Sequence, residues 1–350
     1  MIQENYFTEN KDVLLHFHSL IDWEEIINEY ENGFSDHQEY LRSKESNLEM
    51  APSTHKEARD YYNEILTSYG ELTGLEVSQE AAHFDKEGLT FKDGIVTHPK
   101  KMEELVMKFY SAGLVPVAIQ RKYGGLGLPH TVKALLTELL YRADTSFTIA
   151  VSSVNLAAII QDIAEEEQKQ RIIPKLLRDK YSMTMGLSEP NYGSDLPSVT
   201  TKAELIDGKW YLTGTKRFQT MACGINGNPS ATLCLARTGK PGGGARGLSF
   251  FFVDGKDYSI AGIEKKMGIK ASATCEVVYE KSPAELLGTE GYGLTRYVMG
   301  MLNGARMSVA AEGVGVSTAA YREALKFASE RIQFGKPIKE LAPVKRMLDR

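Results

Sequence analysis

The chain has 350 residues, 42% of them apolar, and its 41 Lys and Arg against 46 Asp and Glu give a formal charge of -5. That length holds two or three domains around a large core, and the acidic balance lacks the concentrated positive field that nucleic acid requires. Cys223, Cys234 and Cys275 form no CxxC pair, so neither a disulfide framework nor a zinc site is expected, and all three read as small buried hydrophobes.

The opening MIQENYFTENKD has no basic start followed by an apolar stretch. Residues 1–50 read as an acidic helical extension in which Trp23, Ile26, Ile27 and Tyr30, at spacings of three and four, share one helix face. Helical periodicity recurs over Ala58–Tyr69, Met102–Ala112, Val132–Leu140 and Leu156–Ile163, broken at Gly113, Pro116 and the run YGGLGLP, so 51–181 is predicted to be a helical domain. Its longest weakly polar run, Thr148–Ile160, is too short to cross a bilayer and contains serines and an asparagine. A soluble, cytoplasmic protein is the expectation.

At about Met183 the period changes. KWYLTG, SATLCLAR, LSFFFVD and CEVVYE are short β-rich runs separated by Gly, Pro and Asn, predicting a β domain over 182–290. From Gly291 helical spacing returns with many small residues (NGARMSVAAEGVGVSTAAYREAL), which permits close helix packing, and 291–350 reads as the start of a second helical domain. The last run, VKRMLDR, has neither a glycine stop nor a polar tail and is expected to be cut off in mid-helix. The fold class is α+β.

Several motifs reduce to ordinary structure. GGGARG (242–247) fits the dinucleotide pattern but is followed by the strand LSFFFVD rather than a helix, so a hairpin loop is expected. GLSEP (186–190) resembles a nucleophile elbow but has proline where glycine is needed. His16 and His18 are two apart, wrong for one helix face, and Glu165–Glu167 reads as a solvated run, so no metal site is expected.

Five stretches gain meaning from their order: YGGLGLP, GLSEPNYGSD, GKWYLTGTKRFQT, KMGIKASATCEVVYE and ERIQFGKPI. In this order and spacing the chain resembles the acyl-CoA dehydrogenase family from about residue 80 onward. The Lys265–Glu280 segment and the acidic extension look most like the large bacterial branch that includes methylthiopropanoyl-CoA dehydrogenases.

The resemblance implies a helical domain, a β domain and a second helical domain enclosing FAD, with GLSEPNYGSD under the flavin. Met185, Leu187 and Ser188 would line the isoalloxazine, and Gly193 and Ser194 would offer backbone N–H groups to the pyrophosphate. Phe218 and Thr220 would face the flavin, Phe218 standing where many relatives have tryptophan. Arg331 and Phe334 would contact the FAD of a neighbouring subunit in a homodimer or homotetramer. Arg306 would lie near the CoA nucleotide, with Asn303 where some relatives carry aspartate.

The implied reaction converts an acyl-CoA thioester to trans-2-enoyl-CoA, with an electron-transfer flavoprotein as acceptor. It needs a carboxylate base of raised pKa. Most relatives place that glutamate beyond the counterpart of Arg350; a minority place it where this chain has Ala305. Residues 1–350 are therefore expected to lack the base and to be inactive alone. The alternatives are an acyl-CoA oxidase on the same fold, and a non-catalytic flavin or acyl-CoA binding protein.

Overall fold

The computed structural model describes residues 1–240 and 242–349, so Arg350, the last residue of the predicted 291–350 region, lies outside the described residues. The N-terminal extension is built of short helices, among them Trp23–Tyr30, whose N-cap Asp22 accepts from the Glu25 N–H. Trp23 and Ile27 are buried and Ile26 packs against the same core, while Tyr30 sits at the exposed rim of the predicted stripe.

The extension packs directly on the helices that follow. These are α1 (His55–Leu72), α2 (Ser78–Glu87), α3 (Lys100–Ser111), α4 (His130–Ala143), α5 (Thr145–Ser152), α6 (Ala157–Ile163) and α7 (Glu166–Arg178). The Trp23 and Tyr62 ring centroids are 5.8 Å apart. Buried Glu31 takes a two-pronged bond from Arg121 at 2.7 and 3.0 Å and a third from the Tyr62 hydroxyl. Two buried charges that bond each other through two N–H groups, with a hydroxyl on the carboxylate as well, can remain ionised inside a core.

Each predicted helical run lies within or alongside one of these helices. The exception to an all-helical first half is a two-stranded hairpin, Thr90–Lys92 with Ile95–Thr97, which turns on Asp93-Gly94. Asp-Gly between short β-prone runs is a hairpin signal, outweighed in the sequence by its helical surroundings. Thr145–Ile163 is long and apolar enough to cross a membrane by length and composition, more than the shorter run noted above suggests. In the structure it is divided into α5, a 3₁₀ turn at Ser153–Leu156 and α6, with Phe147, Val154 and Ile160 in the core.

The β domain comprises β1 (Ser182–Gly186), β2 (Lys202–Ile206), β3 (Lys209–Thr220), β4 (Ser230–Arg237), β5 (Leu248–Asp254), β6 (Ser259–Ile263) and β7 (Thr274–Leu287). Its order is β1-β4-β2-β3-β7-β5, and β5 pairs back onto β4, closing a barrel, while β6 adds to β7. β4 shows why the sheet closes here. All eight of its residues are buried. Leu233 and Leu235 face the helices, while Cys234 and Ala236 point into the barrel with Phe251, Val253 and Tyr279. A strand buried on both faces reads as a near-continuous apolar run, and the polar members of this one, Ser230, Thr232 and Arg237, are each hydrogen-bonded. GGGARG is the predicted loop between β4 and β5. Cys234 and Cys275 are buried and Cys223 is half-buried, all as free thiols.

The last region contains α8 (Met299–Glu330), entered through a wide turn at Gly293–Val298, then a short hairpin and the helix Ala342–Leu348. α8 crosses α4 at Gly315, where a Cβ would stand 2.6 Å from the Glu138 carbonyl oxygen and 2.9 Å from the Arg142 nitrogen. The expectation of close packing through small residues holds at Gly315, whereas Gly300, Gly304 and Gly313 have open space around them. The backbone N–H of Ile2 donates to Glu323 at 2.6 Å, so the extension also ties onto α8.

Candidate functional site

β1 runs parallel to β4 and ends at Gly186, where the chain leaves the sheet as the loop LSEPNYGSD. Pro190 and Asn191 lie in a tight turn closed by reciprocal backbone bonds between Glu189 and Tyr192 at 2.7 and 3.2 Å. The Glu189 side chain folds inward, against what composition would suggest. It accepts from the Thr200 N–H (2.7 Å), the Thr200 hydroxyl (2.8 Å), the Thr201 N–H (2.8 Å) and the Lys216 ammonium (2.9 Å). Burial alone would raise its pKa, but Lys216 and the threonine donors outweigh it and hold the carboxyl down to about 2.

Lys216 is completely buried and donates a second bond to the Leu187 carbonyl at 2.9 Å. The next residue along β3, Arg217, gives its backbone N–H to the Ser188 carbonyl at 2.9 Å. Arg237 holds the returning leg of the loop through the carbonyls of Val199 (3.0 Å) and Pro197 (2.6 Å). The loop is thus pinned at its start by β3 and at its return by β4, with Gly193 and Ser194 exposed at its outer part.

β3 itself is broken where it passes this loop. Lys216 pairs with Val277 and Gln219 with Cys275, so Arg217 and Phe218 both stand opposite the single residue Glu276. This is a β-bulge, which re-aims side chains at the edge of a site. Phe218 takes φ +60° and projects its ring outward, 57% exposed. Gln219 is locked behind it by Thr232 and Tyr279.

The bulge and β1 open onto a cavity of about 1220 Å³ whose other walls are α4, the α5–α6 segment and α8. Met185, Phe218 and Thr220, three of the residues singled out in the sequence, line it together. Thr184 lines it as well, and its buried hydroxyl has no hydrogen-bond partner among the described residues. Leu187 and Ser188 stand beside the cavity on the anchored loop, half-buried, rather than in its wall. Asn303 and Arg306 bond to each other at 2.6 Å and are exposed on α8, while their neighbours Gly304 and Ala305 line the cavity. Arg331 and Phe334 lie on the exposed hairpin after α8, outside the cavity of this chain, with Phe334 88% exposed at φ +52°.

An apolar chamber thus lies beside a fixed polar loop, at the meeting of a barrel and two helical units. The residues fit a flavin there. Thr184 offers an unengaged hydroxyl, Phe218 a ring face, and Gly193 and Ser194 carry backbone N–H groups with no acceptor among the described residues.

The acyl-CoA dehydrogenase N-terminal domain matches residues 63–180, the middle domain 184–282 and the C-terminal domain 291–350. The chain belongs to the acyl-CoA dehydrogenase family, whose cofactor is FAD. Similar proteins include 3-methylmercaptopropionyl-CoA dehydrogenase of Ruegeria pomeroyi, 32% identical over 79% of this chain and 51% of that protein. The short-chain specific acyl-CoA dehydrogenase of Clostridium acetobutylicum is 31% identical over 67% of this chain and 62% of its own length. The chain therefore spans about half to three-fifths of these curated relatives. Among solved structures, butyryl-CoA dehydrogenase from Megasphaera elsdenii superposes with a TM-score of 0.72 at 27% identity, covering 83% of this chain and 74% of that one.

Proposed function

We propose that this chain forms the FAD and thioester site of an enzyme that dehydrogenates acyl-CoA between Cα and Cβ to give trans-2-enoyl-CoA. The observation that carries this reading is the convergence of Met185, Phe218 and Thr220 on one cavity beside the anchored loop. When bound, FAD supplies the acceptor for the β-hydrogen as hydride. The chain's own part is to bind, orient and keep out water. The tethers from Lys216 and Arg217 fix Leu187 and Ser188 where the isoalloxazine edge would lie. Gly193 and Ser194 offer backbone donors to a pyrophosphate. The apolar walls contributed by residues such as Leu136, Leu140 and Met301 exclude water from the acyl chain.

The proton acceptor is assigned to none of the described residues. Ala305 lines the wall without a carboxylate. Asp162 does line it, with a pKa raised by burial, but the attraction of Lys133, Lys169 and His130 opposes the rise that a proton acceptor needs. Glu312, whose pKa burial also raises, stands outside the cavity wall. The proposed base is a glutamate beyond residue 350. An electron-transfer flavoprotein is the proposed acceptor, and a cytoplasmic homo-oligomer the proposed setting, with Arg331 and Phe334 reaching a neighbouring subunit's FAD.

The test is an anaerobic titration of the full-length protein with saturated acyl-CoA thioesters of graded length. Bleaching of the flavin band is expected. A yellow protein that no thioester bleaches would refute the assignment.

A further inference from the structure

The bulge in β3 carries an arrangement that the cofactor reading does not explain. Arg217 and Phe218 are consecutive, so in a regular strand their side chains would point to opposite faces. The left-handed conformation of Phe218 removes that alternation, and the Arg217 guanidinium lies 5.2 Å from the centroid of the Phe218 ring. For an aromatic residue, φ +60° is a strained backbone that persists only where its surroundings impose it.

The surroundings here are electrostatic. Arg217 Nε donates to Glu264 at 3.0 Å, a second nitrogen of the same guanidinium bonds the same carboxylate, and Glu276, the residue facing the bulge, stands 3.8 Å away. Lys266 and Lys270, on the loop that carries Glu264, are engaged elsewhere: Lys266 with Ser272 and Thr274, and Lys270 with Asp85. Two carboxylates thus hold one planar cation, and the cation holds one face of an exposed ring whose side chain enters the cavity wall.

We propose that Arg217 is a positioning residue for Phe218, fixing the ring in the orientation that packs against the flavin. A guanidinium stacked on an aromatic face favours a single ring orientation and keeps it desolvated on that side. Lysine cannot substitute, since it offers no plane to stack and no fork for Glu264. The inference rests on FAD occupying the cavity, and the experiment separates the two.

The test is a double-mutant cycle read by FAD titration of full-length apoprotein and by the flavin's visible absorption band. Arg217→Ala is expected to weaken FAD binding about three- to tenfold and to shift the band. Arg217→Lys should recover less than half of the loss. Phe218→Ala should weaken binding at least as much, and adding Arg217→Ala to it should cost less than a further twofold. Equal losses from Arg217→Ala in the wild-type and Phe218→Ala backgrounds would overturn the proposal, because Arg217 would then act independently of the ring. Full rescue by lysine would overturn it too, leaving only a charge effect. A wild-type apoprotein that takes up no FAD would overturn the cofactor reading itself, and this inference with it.

Discussion

Replacing Lys216 with methionine tests whether the buried pair organises the loop. Lys216 is completely buried, its ammonium is 2.9 Å from Glu189, and the Glu189 side chain is 4% exposed. Methionine fills much the same volume, so packing is largely kept and the change is electrostatic. Removing one member of a buried pair leaves the other charge uncompensated and typically costs about 3–5 kcal/mol. Three donors from Thr200 and Thr201 remain on Glu189, which places this case toward the lower end. For a urea slope of about 3 kcal/mol per molar, the unfolding midpoint should fall by roughly 1 M. FAD affinity should fall as well, because the Leu187 carbonyl loses its tether. The decisive comparison is the double variant Lys216→Met/Glu189→Gln, which removes both charges and should recover a substantial part of the stability. A loss below about 1 kcal/mol for Lys216→Met, or a double variant as unstable as the sum of the two single ones, would refute the argument.

The same pair sets a pH dependence. Glu189 has a folded pKa of about 2, below its ordinary 4.5, so its stabilisation is fully present above about pH 4.5 and is lost as pH falls toward 2. The stability gap between wild type and Lys216→Met/Glu189→Gln, measured by urea unfolding, should therefore be constant from pH 7 to 5 and shrink below 4.5; a gap that widens on acidification would contradict it. Gly315→Ala should destabilise, since the added carbon meets the α4 backbone at 2.6 Å, whereas Gly313→Ala two residues away meets nothing within 4 Å and should gain up to about 1 kcal/mol. Thermal melts of the two variants that move together would show that α8 does not pack as described. Arg331→Ala is expected to weaken FAD binding about tenfold or more, the contribution of a charge-assisted bond to phosphate, and an unchanged titration would remove Arg331 from the cofactor site.

The architecture was readable from period alone because it depends on which faces are apolar. β4 reads SATLCLAR, and a strand buried on both sides has to look like that. The helices of 51–181 declare themselves by spacings of three and four, and the change of period near Met183 marks the start of β1 to within a residue. What composition could not show is where two elements approach closely. α8 has several glycines of the same appearance, yet Gly315 alone among its glycines has α4 backbone against it. Spacing within one helix carries no record of the neighbour's backbone. The hairpin at Asp93-Gly94 escaped for a related reason, its strands being three residues each and largely exposed.

The candidate site divides along the same line. Met185, Phe218 and Thr220 were legible because family order placed them, and the cavity brings them together. Glu189 and Lys216 were passed over, each resembling an ordinary surface charge. A signal was nonetheless present. In β3, Leu212 and Lys216 are both buried, four residues apart and so on one face of an extended strand. A lysine on an inward face requires a carboxylate partner, and the sequence offers one in the loop that β3 must pass, between a buried strand and a proline. Glu189, at the head of the turn, is the group that makes an inward lysine tolerable. The lysine in turn reaches the Leu187 carbonyl and fixes the loop against the sheet. Position along the chain gives each residue a plausible separate role as surface charge. Only the crossing of β3 behind the loop makes them one device.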